Sequence, residues 1–170
     1  MNKLQENKQL IYFFAKAGLM FLAWYFLYEQ WLFKVGWLDK VIIDNLVFLS
    51  EKILTFFGSV VYVYHHDIGL DGGHGVHIGA PCNGIDLMAL FAGFIILFKG
   101  RWKDKLWFIG AGIVIIHFLN LLRVIALIII AKHAPEQLDF NHKYTFTILL
   151  YVCIFLGWVL WVNNYSRKKA

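Results

Sequence analysis

The chain has 170 residues, 60% of them hydrophobic and 18% aromatic, with a net charge of +5. Soluble domains are nearer half apolar, so this composition excludes an ordinary soluble fold and points to an integral membrane protein. The bases collect at Lys3 and Lys8, in Lys99–Lys105 and in Arg167–Lys169, which reads as topology signalling at a membrane and not as nucleic-acid binding.

Residues 1–9 read as a polar tail. Leu10–Tyr28 is an apolar, aromatic run about long enough to span, with Lys16 able to snorkel. The run is too long for a signal peptide, and no small-residue cleavage site follows it. Glu29–Lys40 is mixed and Trp-rich, as expected near headgroups. Val41–Val63 carries Asp44, Glu51, Lys52, Thr55 and Ser59 at roughly helical spacing. Ile42, Leu46, Leu49, Ile53, Phe56, Phe57 and Val60 form the other face. This is an amphipathic helix, either interfacial or re-entrant.

Tyr62–Pro81 alternates and breaks at Asp71-Gly72-Gly73, which predicts a β-hairpin standing in water. Asn83–Phe98 is a second span, Lys99–Lys105 a tight basic turn and Leu106–Ala131 a long third span. Lys132–Lys143 is a polar loop, and Tyr144–Val162 is the last span. The expected fold is all-α: one membrane domain over residues 1–170, with about four clear spans, the amphipathic helix and a short extracytoplasmic hairpin. The basic turn and basic tail belong on the cytoplasmic side, so Cys82 and the Lys132–Lys143 loop face outside.

Helical rise then brings distant residues to one level. Cys82 lies 17 residues before Lys99, and Arg123 lies 18 residues after Lys105. At about 1.5 Å per residue both stand roughly 25–27 Å from the basic turn, near the outer edge of a hydrocarbon core about 30 Å thick. His142 precedes the last span and is also outside. A helix start favours a thiolate over a thiol, and a thiolate is the nucleophilic form of cysteine. His142 can take the thiol proton and return it to a leaving amine. Arg123, costly within an apolar run, is a functional candidate by default and can stabilise a thiolate or an oxyanion. Asn120 lies one turn before Arg123, and Asp86 one turn after Cys82, placed either to anchor Arg123 or to orient His142.

Other readings stand beside this one. Arg123 and Asp86 can form a structural ion pair in a non-enzymatic membrane scaffold. His65, His66, His74 and His77, with Asp67, offer donors on the hairpin for a metal-handling protein or small transporter, and His117 can belong to a proton path. Cys153 lies mid-run and reads as a small buried apolar residue.

Ala80-Pro81-Cys82-Asn83-Gly84-Ile85, then Asn120-Leu121-Leu122-Arg123, then Asn141-His142 before a final span resembles the exosortase/archaeosortase family. The short chain resembles the exosortase F branch of Bacteroidota. The resemblance implies a membrane-embedded cysteine protease/transpeptidase in a bacterial inner membrane, with its site facing the periplasm. Cys82 would be the nucleophile, Arg123 the stabilising cation and His142 the base, supported by Asn83, Asp86 and Asn120. It implies no cofactor and no metal ligand. Its partners would be membrane-anchored proteins with a C-terminal sorting signal, in a lipid bilayer and without nucleic acid.

Overall fold

The computed structural model describes residues 3–166; the basic tail Arg167–Lys169 lies outside the described residues. Helix α1 spans Lys3–Leu27 and so includes most of the stretch expected as a polar tail. A π turn, Tyr28–Leu32, carries the chain to Gly36. Gly36 adopts φ 68°, a conformation that favours glycine, and there the chain breaks from α1 and enters α2, Trp37–Phe56.

The buried stripe of α2 is Ile43, Leu46, Val47, Ser50 and Leu54, at the three- and four-residue spacing of one helical face. The expected apolar face is therefore only partly right. Leu46 is fully buried, whereas Phe56, Phe57 and Val60 are exposed. The helix ends at Phe56, and Gly58 takes φ 82°, so a helical face cannot be extrapolated past that point.

The expected hairpin is a three-stranded antiparallel meander, β1 (Val61–Tyr64), β2 (Asp67–Leu70) and β3 (Val76–His77). The break at Asp71-Gly72-Gly73 is its second turn. The first is a tight turn at His65-His66, closed by the Tyr64–Asp67 register pair, with His65 at φ 55°. Gly69 faces Tyr62 across the strands, and a Cβ there would lie 2.5 Å from the Tyr62 hydroxyl. Its lack of a side chain lets the ring lie flat across the sheet.

Helix α3 spans Ile85–Leu97, α4 spans Trp102–His133 and α5 spans Phe146–Trp161. The expected Lys132–Lys143 loop is mostly helical. It runs through a 3-10 turn at Pro135–Gln137, a short helix at Leu138–Phe140 and a π turn at Asn141–Thr145. Among the described residues two helical stretches are long and apolar enough to cross a membrane, Trp102–His133 and Pro135–Tyr165, and Ile85–Leu97 is a shorter apolar helix.

Two hydrophobic clusters sit at opposite ends of α4. One joins Ile43, Leu46, Val47 and Leu54 of α2 to Ile68 and Leu70 of β2 and to Leu121, Val124 and Ile128 of α4. It sheathes the end of α4 that runs ten residues beyond Arg123, about 15 Å further. The other gathers Phe91, Ile95, Ile116, Ile154 and Trp161. There Lys105, nearly buried, donates to the Ile96 carbonyl at 2.8 Å and satisfies an acceptor at the end of α3 that the helix itself leaves open.

Candidate active site

Cys82 ends a one-turn 3-10 helix, Ala80–Cys82, opened by Pro81. Its amide donates to Gly79 O at 2.9 Å, and Asn83 N donates to Ala80 O at 3.2 Å. Gly84 then takes φ 80° before α3 begins. The chain thus turns sharply between sheet and helix, and the half-buried thiol is held in the turn.

The thiol meets His142 there. Cys82 Sγ and His142 Nε2 are 3.2 Å apart, hydrogen-bond range for sulfur, although the residues are 60 positions apart. His142 lies in the π turn that leads into α5. Such i→i+5 turns shift side chains out of α-helical register and are frequent at functional sites.

Arg123 and Asn120 hold the backbones of the pair. Arg123 Nη2 donates to the His142 carbonyl at 3.3 Å, and Thr147 Oγ1 donates to the same oxygen at 3.1 Å. Asn120, fully buried, donates to the Cys82 carbonyl at 2.7 Å. Arg123 Nε and Asn120 Oδ1 are buried, with no hydrogen-bond partner among the described residues. These groups fix backbone positions and leave polar atoms unspent beside the thiol and imidazole.

Asn83 anchors the turn from the other side. Its Oδ1 accepts from Ile85 N at 2.9 Å, and its Nδ2 donates to Asp39 Oδ1 at 2.5 Å. Asp39 is only 6% exposed, and the same oxygen accepts from Tyr28 Oη at 2.7 Å. Tyr28, Asp39 and Asn83 thus tie the end of α1, the start of α2 and the Cys82 turn together. Asp39, Tyr28 and Thr147 were not legible as site residues. Asp39 reads locally as one charge in a mixed interfacial stretch, and only packing buries it.

Asp86 stands elsewhere than expected. It neither anchors Arg123 nor orients His142; it is exposed and accepts from Trp24 Nε1 at 3.1 Å. Asp86 follows Cys82 by one helical turn in sequence, but Cys82 belongs to the 3-10 turn before α3, so helical spacing does not bring the two side chains together. The Arg123–Asp86 ion pair of the scaffold reading is not formed. The hairpin histidines divide between separate partners, His66 with Asp44 at 3.2 Å and His77 with Asp67 at 2.8 Å. Among the described residues no three His, Cys, Asp or Glu side chains are grouped to hold a metal ion. His117 meets the Asn45 amide oxygen at 2.9 Å.

A thiol and an imidazole in contact, with Asn120 and Arg123 holding their two backbones, is an arrangement that suits covalent acyl transfer. No curated protein and no solved structure matches the chain. The family model for transmembrane exosortases matches residues 7–162, a stretch that takes in the Cys82 turn, Asn120, Arg123 and His142, and the chain belongs to that family.

Proposed function

We propose that this protein is a membrane-embedded cysteine protease/transpeptidase that cuts C-terminal sorting signals from secreted proteins at the outer face of the membrane. The observation that carries this reading is the 3.2 Å contact between Cys82 Sγ and His142 Nε2, formed between residues far apart in the chain.

In this mechanism His142 Nε2 takes the proton of the Cys82 thiol as the sulfur attacks the carbonyl carbon of the scissile bond. The carbonyl π electrons move onto oxygen, and the Arg123 guanidinium, which donates to the His142 carbonyl, would stabilise that charge. Collapse of the tetrahedral species re-forms the carbonyl and breaks the C–N bond. The proton on His142 goes to the departing amine, which carries the membrane anchor away. Water or a second amine then attacks the thioester and releases the thiol. A substrate helix held in the bilayer arrives with its depth already fixed, which lowers the entropic cost of alignment.

The same reading places the enzyme in a bacterial inner membrane. Its four spans, with Leu10–Tyr28 the first, would have their basic turn inside and Cys82 facing the periplasm. The short form would fit the exosortase F branch. The test is processing of a secreted protein bearing a C-terminal anchor in cells that express wild type or Cys82→Ala. The variant should leave the anchor attached while residing in the membrane at wild-type level. Processing at the wild-type rate by Cys82→Ala would end this reading.

A further inference from the structure

The meander has two edges, and one of them leads to the thiol. Strand β3 pairs on one side only, with β2. Ile78 N donates to His66 O at 3.0 Å, so Val76 and Ile78 turn their amides toward β2. The Asp67–His77 pair between them is then a pair without mutual hydrogen bonds, and the N–H and C=O of His77 point away from the sheet. Gly79 continues the extended backbone, with φ −103° and ψ −179°, and its N–H points the same way as that of His77. Among the described residues no hydrogen bond reaches the His77 N–H, the His77 C=O or the Gly79 N–H.

This edge ends at the candidate nucleophile. Cys82 N donates to Gly79 O at 2.9 Å, so the one-turn helix after Gly79 folds the cysteine back against the end of the strand. The opposite edge offers no such path. Asp71 N donates to Val60 O, which makes Val61 and Val63 the outward residues of β1, and β2 lies between that strand and β3. Outward amides and carbonyls at every second residue, about 6.6 Å apart, match an extended polypeptide main chain and match neither an acyl chain nor a lipid headgroup. Three free groups suit one short segment and are few for the pairing of two whole sheets.

We infer that the outer edge of β3 takes an extended peptide as an added strand, and that this peptide is the segment just before the scissile bond. That the added chain is the acyl donor rests on the acyl-transfer reading above. Strand β3 and an acyl donor both run toward Cys82, so the two are parallel. In that pairing the His77 N–H donates to one peptide carbonyl, and the His77 C=O accepts from the amide two residues on. The Gly79 N–H donates to the carbonyl of that second residue, which is therefore held by both its backbone groups. His77 and Gly79 are positioning residues that act through their main chain.

The test labels the full-length protein in lipid nanodiscs with the chloromethyl ketone of acetyl-Thr-Val-Thr-Ala, whose methylene carbon takes the Cys82 sulfur as chloride leaves. Beside it stand the same compounds N-methylated at one residue at a time. Labelling should be saturable. N-methylation at alternate residues should slow it about tenfold, and at the residues between them by less than about twofold, because only alternate amides face β3. His77→Pro removes the outward N–H and leaves the bonds to β2 in place, so it should slow the parent compound several-fold, whereas His77→Ala should label as wild type does. N-methylation that acts equally at every residue or at none, or an equal loss in His77→Ala and His77→Pro, overturns the inference. So does a dimer that His77→Pro dissociates while the N-methylated compounds label like the parent, which would give the edge to a second copy of the chain. Labelling needs a reachable thiol and not turnover. A Cys82→Ala variant that still processed its substrate would therefore end the acyl-transfer reading and leave the strand addition intact.

Discussion

Arg123 reaches the backbone carbonyl of His142, at 3.3 Å, so the cation holds His142 through its main chain. One guanidinium nitrogen is spent there, and Nε is buried without a partner among the described residues. Arginine's planar fork can hold that carbonyl while aiming a second donor at a developing oxyanion, and a lysine ammonium is a point charge that cannot do both. Arg123→Lys should therefore lower the turnover of an anchored substrate by roughly 10²-fold with little change in KM. Wild-type turnover in the lysine variant would show that charge alone is needed.

The Cys82–His142 contact makes a separate prediction about the free enzyme. If the imidazole assists loss of the thiol proton, His142→Ala should slow iodoacetamide alkylation of Cys82 at neutral pH, because only the thiolate reacts. Turnover should fall as far in His142→Ala as in the Cys82→Ala/His142→Ala pair, since residues that act as one unit are not additive. Alkylation unchanged by His142→Ala would mean that the ring is a neighbour and not a base.

Helical rise counted from the basic turn puts Cys82 and Arg123 at one level, His142 falls on the same side because it precedes the last span, and hydrogen bonds link His142 to both. That much is legible because long apolar runs have fixed pitch and basic residues mark one end. The partners of the supporting residues are not. Asp86 follows Cys82 by one helical turn in sequence yet turns to Trp24, because Cys82 lies in the 3-10 turn before the helix. Asp39 finds Asn83 from 44 residues away, a pairing with no local pattern. The His65-His66 turn is missed for another reason: Asp-Gly-Gly is the stronger turn signal nearby, and a non-glycine residue at positive φ is uncommon.

The buried carboxylate of Asp39 gives the third prediction. Asp39→Ala leaves Asn83 Nδ2 and the Tyr28 hydroxyl without their acceptor in a site closed to water. Unpaired buried donors should cost roughly 2–3 kcal/mol, read as a lowered unfolding midpoint in detergent. Asp39→Asn keeps an oxygen where Oδ1 stands and should lose much less. The swapped pair Asp39→Asn/Asn83→Asp reverses donor and acceptor, and it should recover stability relative to Asn83→Asp alone, in which two carboxylates face each other. Equal stability of Asp39→Ala and wild type would remove this anchor from the account.

The helices that carry the site are held in register from the far end by one ring. Phe91 of α3 is buried between Gly112 of α4 and Gly157 of α5. A Cβ on Gly112 would lie 2.0 Å from Phe91 Cε1, and one on Gly157 would lie 2.9 Å from Cε2. The ring cannot retreat from one glycine without meeting the other, so neither helix can take even a methyl group unless α3 moves. Small residues at such crossings let membrane helices approach closely. Gly112→Ala should therefore destabilise by about 1–3 kcal/mol, the usual cost of overpacking, and Phe91→Leu in the same chain should restore part of it. Because α3 follows Cys82, α4 carries Arg123 and α5 follows His142, Gly112→Ala should also slow turnover although it lies far from the thiol. Thermal unfolding of the two variants and the pair, alongside turnover, decides it. If Gly112→Ala unfolds where wild type does, the helices slide more freely than this wedge permits, and the 3.2 Å contact at the site must be held by the Asp39 and Asn120 anchors alone.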